Sequence, residues 1–466
     1  MNARLVVVVA LALVLCPLAV SGQASAAHPS GSELGPLDFA MVDDSLDVGE
    51  RRLAVRRGIM SVPADRSVAH GPRITLRFVI FPSTMEVPAP PIVFLAGGPG
   101  DAATRALAGM PAELLDRLRA IGDVVAFDQR GTGTSEPLQP LCPPGEFLPR
   151  DRPGDPDAMI MALTDRVKTC LADRGDDLVV SGLTTAESAD DLEALRLALG
   201  APALSLLAGS YGTHLAMTTA RRHPGAVHRM ALLGVEGPDH TFKLPSAIDE
   251  VVATIAAERR LTLVDEIRTL RTRLANAPAL FTFPTGESIV LGEWDLQRWV
   301  AESLDTRREI DALVAAVPAM IDGEYTPLAQ SALQQRLPRP LNLMNLAMDC
   351  ASFASAGRLD RIHGEVPNSL LGMAMDYPLP GLCEVEGLPR LPETFREPLE
   401  SDVPTLLIAG TFDGRTPVRN AREVAEGLSD AAVFVIEGAS HDLFRYSEAM
   451  DEVIAFLGAD LPIELP

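Results

Sequence analysis

The chain has 466 residues, 47% of them hydrophobic and 22% charged, enough for one large globular domain with an insertion or for two domains. Its net charge of −23 at pH 7 leaves no basic excess for nucleic acid or for an anionic membrane surface, so neither is expected as a partner. Such acidity suits cationic ligands, a free amino terminus among them, and otherwise serves solubility.

At the start, Arg4 precedes "LVVVVALALVLCPLAV" and then "SGQASAAHP". A basic residue, an apolar stretch and an Ala-x-Ala site at Ala24–Ala26 read as a signal peptide over 1–26. Export, to a secreted or periplasmic location, follows, with no membrane attachment after cleavage. An uncleaved membrane anchor is the alternative, although the stretch is short for a span. Cys16 follows the bulky Leu15, which argues against a lipoprotein site. Removing it leaves Cys142, Cys170, Cys350 and Cys383, an even number in an exported chain. Three pairings are open, and sequence proximity favours Cys142–Cys170 and Cys350–Cys383. No Cys/His spacing or HExxH run suggests a bound metal.

A polar lead-in over 28–50 has no strong periodicity. Residues 52–66 and 73–83 then alternate as strands do, and "PIVFLAGGPG" (91–100) reads as a buried strand ending in glycines. A helix over 111–122 leads to a strand over 123–131, and the Pro-rich stretch 137–157 reads as loop. Helix 185–200, strand 203–209, helix 212–223 and strand 229–237 follow, the cadence of a parallel α/β sheet. From 241 to 400 strand signals nearly vanish and helical patterns dominate, at 246–278 and 307–322. The α/β rhythm returns with "VPTLLIAGTFDGRTPV" (403–418), helix 418–428, "AAVFVIEGASHDLF" (431–444) and a last helix over 445–457. The expected architecture is an α/β core over 27–240 and 401–466, interrupted by a mainly helical cap over 241–400.

Within "LLAGSYGTHLAM", Ser210 stands where a strand becomes a helix, flanked by Gly209 and Gly212. That is the pattern of a nucleophile elbow, with Ala208 in place of its first glycine. Alone, the match describes an ordinary tight turn equally well. A nucleophilic serine needs a base and the base needs an orienting acid, in the chain order Ser, acid, His. Asp413 in "GTFDGRTPV" and His441 in "GASHD" each follow a strand in that order. Asp402 and Asp442 are worse placed. His214, His223 and His228 lie on or beside the elbow helix and read as packing or surface residues, and His240 and His363 as possible cavity lining. Backbone N–H groups of Gly98 and Tyr211 are the expected oxyanion donors, with Gly97 as the substitute.

"GGPG" at 97–100, "DQRGTG" at 128–133, "GSYGT" at 209–213, "GTFDGRTPV" at 410–418 and "GASHD" at 438–442 resemble secreted α/β-hydrolases of the proline iminopeptidase and tripeptidyl aminopeptidase group. The likeness covers roughly 50–240 and 400–460 and is loose across the insertion. It implies an α/β-hydrolase fold and a cofactor-free serine hydrolase with Ser210, Asp413 and His441 as its triad. It also implies that Asp128 and Arg130 form a buried structural pair. Ala96 departs from the histidine that often precedes GGPG in that group. The expected substrate is a small peptide cleaved from its amino end; a carboxylesterase is the alternative, and an inactive binding module the remote one. An aminopeptidase must hold the substrate's ammonium, and Glu236 is the first candidate partner, with Asp349, Asp376 and Glu384 as competitors. The sequence is silent on oligomeric state.

Overall fold

The structure, a computed structural model, describes residues 39–138, 141–175 and 179–459, so the expected signal peptide at 1–26 lies outside it. Short apolar runs such as "PIVFL" and "LSLLAG" can bury both faces only inside a sheet. They do so in one nine-stranded sheet: β1 Phe39–Val48, β2 Arg51–Pro63, β3 Arg73–Phe81, β4 Ala89–Leu95, β5 Gly122–Asp128, β6 Leu204–Gly209, β7 Val227–Leu233, β8 Thr405–Gly410 and β9 Ala431–Ile436. Their spatial order is β1-β2-β3-β5-β4-β6-β7-β8-β9. The first three pair antiparallel and β5 runs antiparallel to β3, while every pairing from β5 through β4 to β9 is parallel.

Alternation along each strand divides the core between the two faces. Leu206 and Ala208 of β6 join one apolar cluster with Leu215 and Met230, whereas Leu207 joins a second with Ala231 and Ile408. Helices Thr185–Ala198 and Tyr211–Arg222 bring apolar residues to the first cluster, and Ala112–Arg119 and Ser447–Leu457 to the second.

Strand β1 occupies what the sequence offers as an aperiodic lead-in. It lies at the sheet edge, in register with β2 from Phe39↔Met60 to Val48↔Arg51. An edge strand needs little apolar alternation, so Asp43, Asp44 and Asp47 are tolerated there. Between β7 and β8 the chain leaves the sheet. The helical pattern over 246–278 is two helices, Pro245–Arg259 and Leu263–Asn276. A hairpin, Ala279–Thr282 with Ser288–Leu291, lies between the two helical patterns of a region that reads as mainly helical. Helix Arg307–Ile321 begins where Thr306 and Glu309 form a reciprocal capping box.

Asp128 and Arg130 are both fully buried, but they do not form the expected pair. Arg130 binds Asp191 through two hydrogen bonds of 2.8 and 2.9 Å and the carbonyls of Ala64 and Gly182 at 2.7 Å each. Asp128 instead accepts hydrogen bonds from Thr104 and from the Thr134 N–H. A guanidinium offers five donors in a fixed fork. Arg130 therefore collects carbonyls from several segments, and the acid that suits its fork comes from helix 185–198.

Disulfides join Cys142 to Cys170 and Cys350 to Cys383, across sequence separations of 28 and 33 residues. Cys142 also sits in a two-residue pairing with Leu341, which fastens the core to the inserted segment. Closing loops of this length restrains the unfolded chain. Replacing Cys350 and Cys383 together by serine is expected to lower stability by roughly 2–4 kcal/mol, read from the shift in urea unfolding midpoint.

Candidate active site

The turn after β6 carries an unusual backbone at the sheet's carboxyl edge. Ser210 adopts φ 52° and ψ −128°, a conformation that side-chain-bearing residues rarely take. Its backbone is held from both sides: its N–H donates to Leu233 O at 2.9 Å, and its carbonyl accepts from the Thr213 N–H at 2.8 Å. Glycines make the turn possible. A Cβ on Gly212 would lie 2.3 Å from Leu95 O, and one on Gly209 would lie 2.6 Å from the Phe444 ring. Ala208, where the elbow pattern has glycine, is buried in the strand and paired with Leu95 and Leu232, so its methyl is accommodated.

Two loops meet this turn. Asp413 follows β8 and His441 follows β9, and His441 Nδ1 lies 2.9 Å from Asp413 Oδ2. The second oxygen of Asp413 accepts the N–H groups of Arg415 and Thr416, each at 2.8 Å, while the Thr416 hydroxyl donates to Oδ2 at 2.7 Å. Burial would push the Asp413 carboxyl up, but the His441 charge and these hydrogen bonds hold it below the usual range. For His441, burial opposes the charged imidazolium, yet Asp413 more than offsets this and raises its pKa. Asp442 instead accepts from the Ser440 hydroxyl at 2.6 Å, and Asp402 is exposed. Sequence reasoning misses Thr416, although its place three residues after Asp413 in "DGRTP" is the signal that a turn hydroxyl returns to the acid.

Ser210 and His441 line one cavity of about 830 Å³ together with Gly97 and Gly98. A Cβ on Gly97 would stand 3.0 Å from Ser210 Cβ and 3.2 Å from Gly209 O, a crowded fit that glycine relieves. Tyr211 opens the helix, which leaves its N–H without an intrahelical acceptor. Its ring turns away into the apolar cluster of Cys142 and Leu343, with the hydroxyl 3.0 Å from Thr185 Oγ1.

The opposite part of the cavity is acidic. Glu236, Asp349 and Asp376 line it with Lys243 as the cation among them. Lys243 Nζ lies 3.5 Å from Glu236 Oε2, and the Lys243 N–H donates to both oxygens of Asp376 at 2.9 and 3.0 Å. No cation among the described residues lies within ion-pair distance of Asp349. Burial pushes Asp349 up to about 8, with the Glu236 and Asp376 charges adding and Lys243 opposing. Burial likewise pushes Asp376 up, to about 6, against the pull of Lys243. Glu384 does not join them: it is exposed, 3.9 Å from Arg390. Of the histidines named as possible lining, His363 is exposed and His240 is bound to Glu423 at 3.0 Å; neither reaches the cavity. Among the described residues no group of His, Cys, Asp and Glu is arranged to hold a metal.

The sequence has relatives. Serine protease Hip1 of Mycobacterium tuberculosis (strain CDC 1551 / Oshkosh) is 29% identical over 239 residues, 50% of this chain and 45% of Hip1. Tripeptidyl aminopeptidase of Streptomyces lividans is 28% identical over 199 residues, 40% of this chain and 36% of its own. Proline iminopeptidase of Xylella fastidiosa (strain 9a5c) is 28% identical over 217 residues, 41% of this chain and 51% of the relative. The chain thus spans about half or less of the length of these curated relatives. The family described as alpha/beta hydrolase fold matches residues 90–446. That span runs from β4 past His441 and covers most of the chain, and the protein belongs to the α/β hydrolase fold family.

Proposed function

We propose that the protein is an exported serine hydrolase that works through an acyl-enzyme and releases residues or short peptides from the free amino end of a peptide. His441 takes the proton of Ser210 as its hydroxyl attacks the acyl carbon, and Asp413 holds the imidazole tautomer and steadies its charge. The N–H groups of Gly98 and Tyr211 receive the developing oxyanion. Water, activated by the same His441, then releases the acyl group. No cofactor takes part. Export rests on the residues at 1–26 and agrees with two disulfides, which persist in oxidising compartments. The helical segment over 241–400 acts as a cap that supplies the acidic end of the cavity.

One observation carries the aminopeptidase reading over a carboxylesterase: the unpaired Asp349 in the same cavity as Ser210. A buried carboxylate without a partner is costly, and an ammonium ion satisfies it. Glu236, the first candidate from the sequence, already has Lys243 at 3.5 Å. Asp349 is therefore the stronger anchor for the substrate amine, with Glu236 beside it.

Ser210→Ala is expected to lower turnover on the order of 10⁴–10⁶-fold in a folded protein and to abolish labelling by a fluorophosphonate; near-normal activity in this variant would sink the mechanism. Asp413→Asn removes the charge that raises the His441 pKa, so the imidazole titration seen by NMR moves to lower pH.

Asp349→Asn is expected to raise KM for free-amine aminoacyl and tripeptidyl amides while sparing their N-acetylated and ester counterparts. Because the Asp349 carboxyl is pushed up to about 8, it is protonated at lower pH and gains its charge as pH rises. The KM of free amines should then fall from pH 6 towards about 8, where the amine itself begins to lose its proton, and this slope should vanish in Asp349→Asn. Equal losses on every substrate would reassign Asp349 to structure. A wild-type preference for blocked esters would make the enzyme a carboxylesterase.

A further inference from the structure

The loops that carry Asp413 and His441 are joined to each other by their own hydrogen bond, and both are also grasped from outside the sheet. The Gly414 N–H donates to Leu304 O at 3.1 Å, and the His441 N–H donates to Asp305 O at 2.9 Å. Arg307 Nη1 donates to Gly438 O at 2.9 Å. The Asp305 carboxylate lies 3.8 Å from Arg415 Nη2. Three of four consecutive residues, in the turn between helices Glu293–Glu302 and Arg307–Ile321, therefore grip both loops. The fit is close: a Cβ on Gly414 would lie 2.5 Å from Leu304 Cβ. The capping box of Thr306 and Glu309 fixes the turn where it enters the second helix, so the grip is presented by a rigid element.

We propose that the turn Leu304–Arg307 of the helical segment is a positioning element for the base and acid loops, with Asp305 and Arg307 as its positioning residues. The inference rests on the assignment of His441 and Asp413 under the proposed function. A displacement of about 1 Å in a catalytic group can cost on the order of 100-fold in rate, and backbone bonds from a second element remove that freedom. The segment that covers the site would thus also hold its geometry.

Asp305 acts in a second way, through charge. The charged and titratable groups around His441 come from every side. Asp413 and Arg415 belong to the acid loop, Asp305 to the turn, and Asp442, paired with Arg445 at 3.6 Å, follows in the chain. Glu258 and Arg307 flank Gly438, three residues before it. Asp305 favours the imidazolium and Arg415 opposes it, after the larger effects of burial and Asp413. Removing the Asp305 charge while keeping its carbonyl leaves His441 neutral to lower pH.

The test uses the mature full-length protein and reads the rate of fluorophosphonate labelling at Ser210 against pH, so it does not depend on the substrate. In Asp305→Asn the acid limb is expected to move to lower pH, and the His441 imidazole titration seen by NMR to move with it. In Arg307→Met the plateau rate is expected to fall roughly 5–50-fold with the limb unmoved, and Arg307→Lys to recover part of that loss. An unmoved limb and titration in Asp305→Asn, or an unchanged plateau in folded Arg307→Met, would overturn the proposal. Absence of labelling in the wild type would instead strike the assignment of Ser210, and the NMR titration of His441 still tests Asp305 in that event.

Discussion

Everything at the site depends on a serine held at φ 52°, a backbone state that opposes its own side chain. Such a turn persists only if its surroundings over-determine it. Here the determination is steric as well as hydrogen-bonded: Gly97, Gly209 and Gly212 each lie where a Cβ would collide with Ser210, Phe444 or Leu95. The residues after strand β4 and the start of the elbow helix therefore approach closely beside Ser210, which lines the cavity. The cost of the strained residue is distributed through the sheet, whose central strands carry fully buried apolar residues on both faces.

Charge is arranged around this turn in two groups that differ in how they are satisfied. Asp413 accepts from His441, from the Thr416 hydroxyl and from two backbone N–H groups, and is thereby held in its charged form. Across the cavity Glu236, Asp349 and Asp376 share a single lysine, and burial pushes two of them towards their neutral forms. The first group is complete within the protein. In the second, Lys243 meets Glu236 through its ammonium and Asp376 through its backbone N–H, and no cation among the described residues lies within ion-pair distance of Asp349.

The helical segment contributes to both groups. Asp349 and Asp376 stand on it, and its turn at Leu304–Arg307 reaches the two loops on the sheet's edge. A disulfide, Cys350–Cys383, lies just beyond Asp349. In this arrangement the helical segment lines the acidic end of the cavity and is hydrogen-bonded to the loops that carry Asp413 and His441.

Much of this is legible in the order of the residues alone, because period and punctuation are local. Apolar runs closed by glycine announce β4 and β6, and the order Ser210, Asp413, His441, each after a strand, announces which loops converge. A hydrogen bond joins the last two, His441 and Asp413. What stays hidden depends on contacts between distant segments. Strand β1 has no pattern of its own and exists because β2 offers it an edge. Arg130 takes Asp191 over the neighbouring Asp128 because a guanidinium fork selects its partner by direction in space, not by distance in sequence. Glu236 and Asp349 look alike as acids in the sequence; only the fold places Lys243 3.5 Å from the first and leaves the second with no cation within ion-pair distance among the described residues, since the state of a carboxylate out of water is defined by its neighbours.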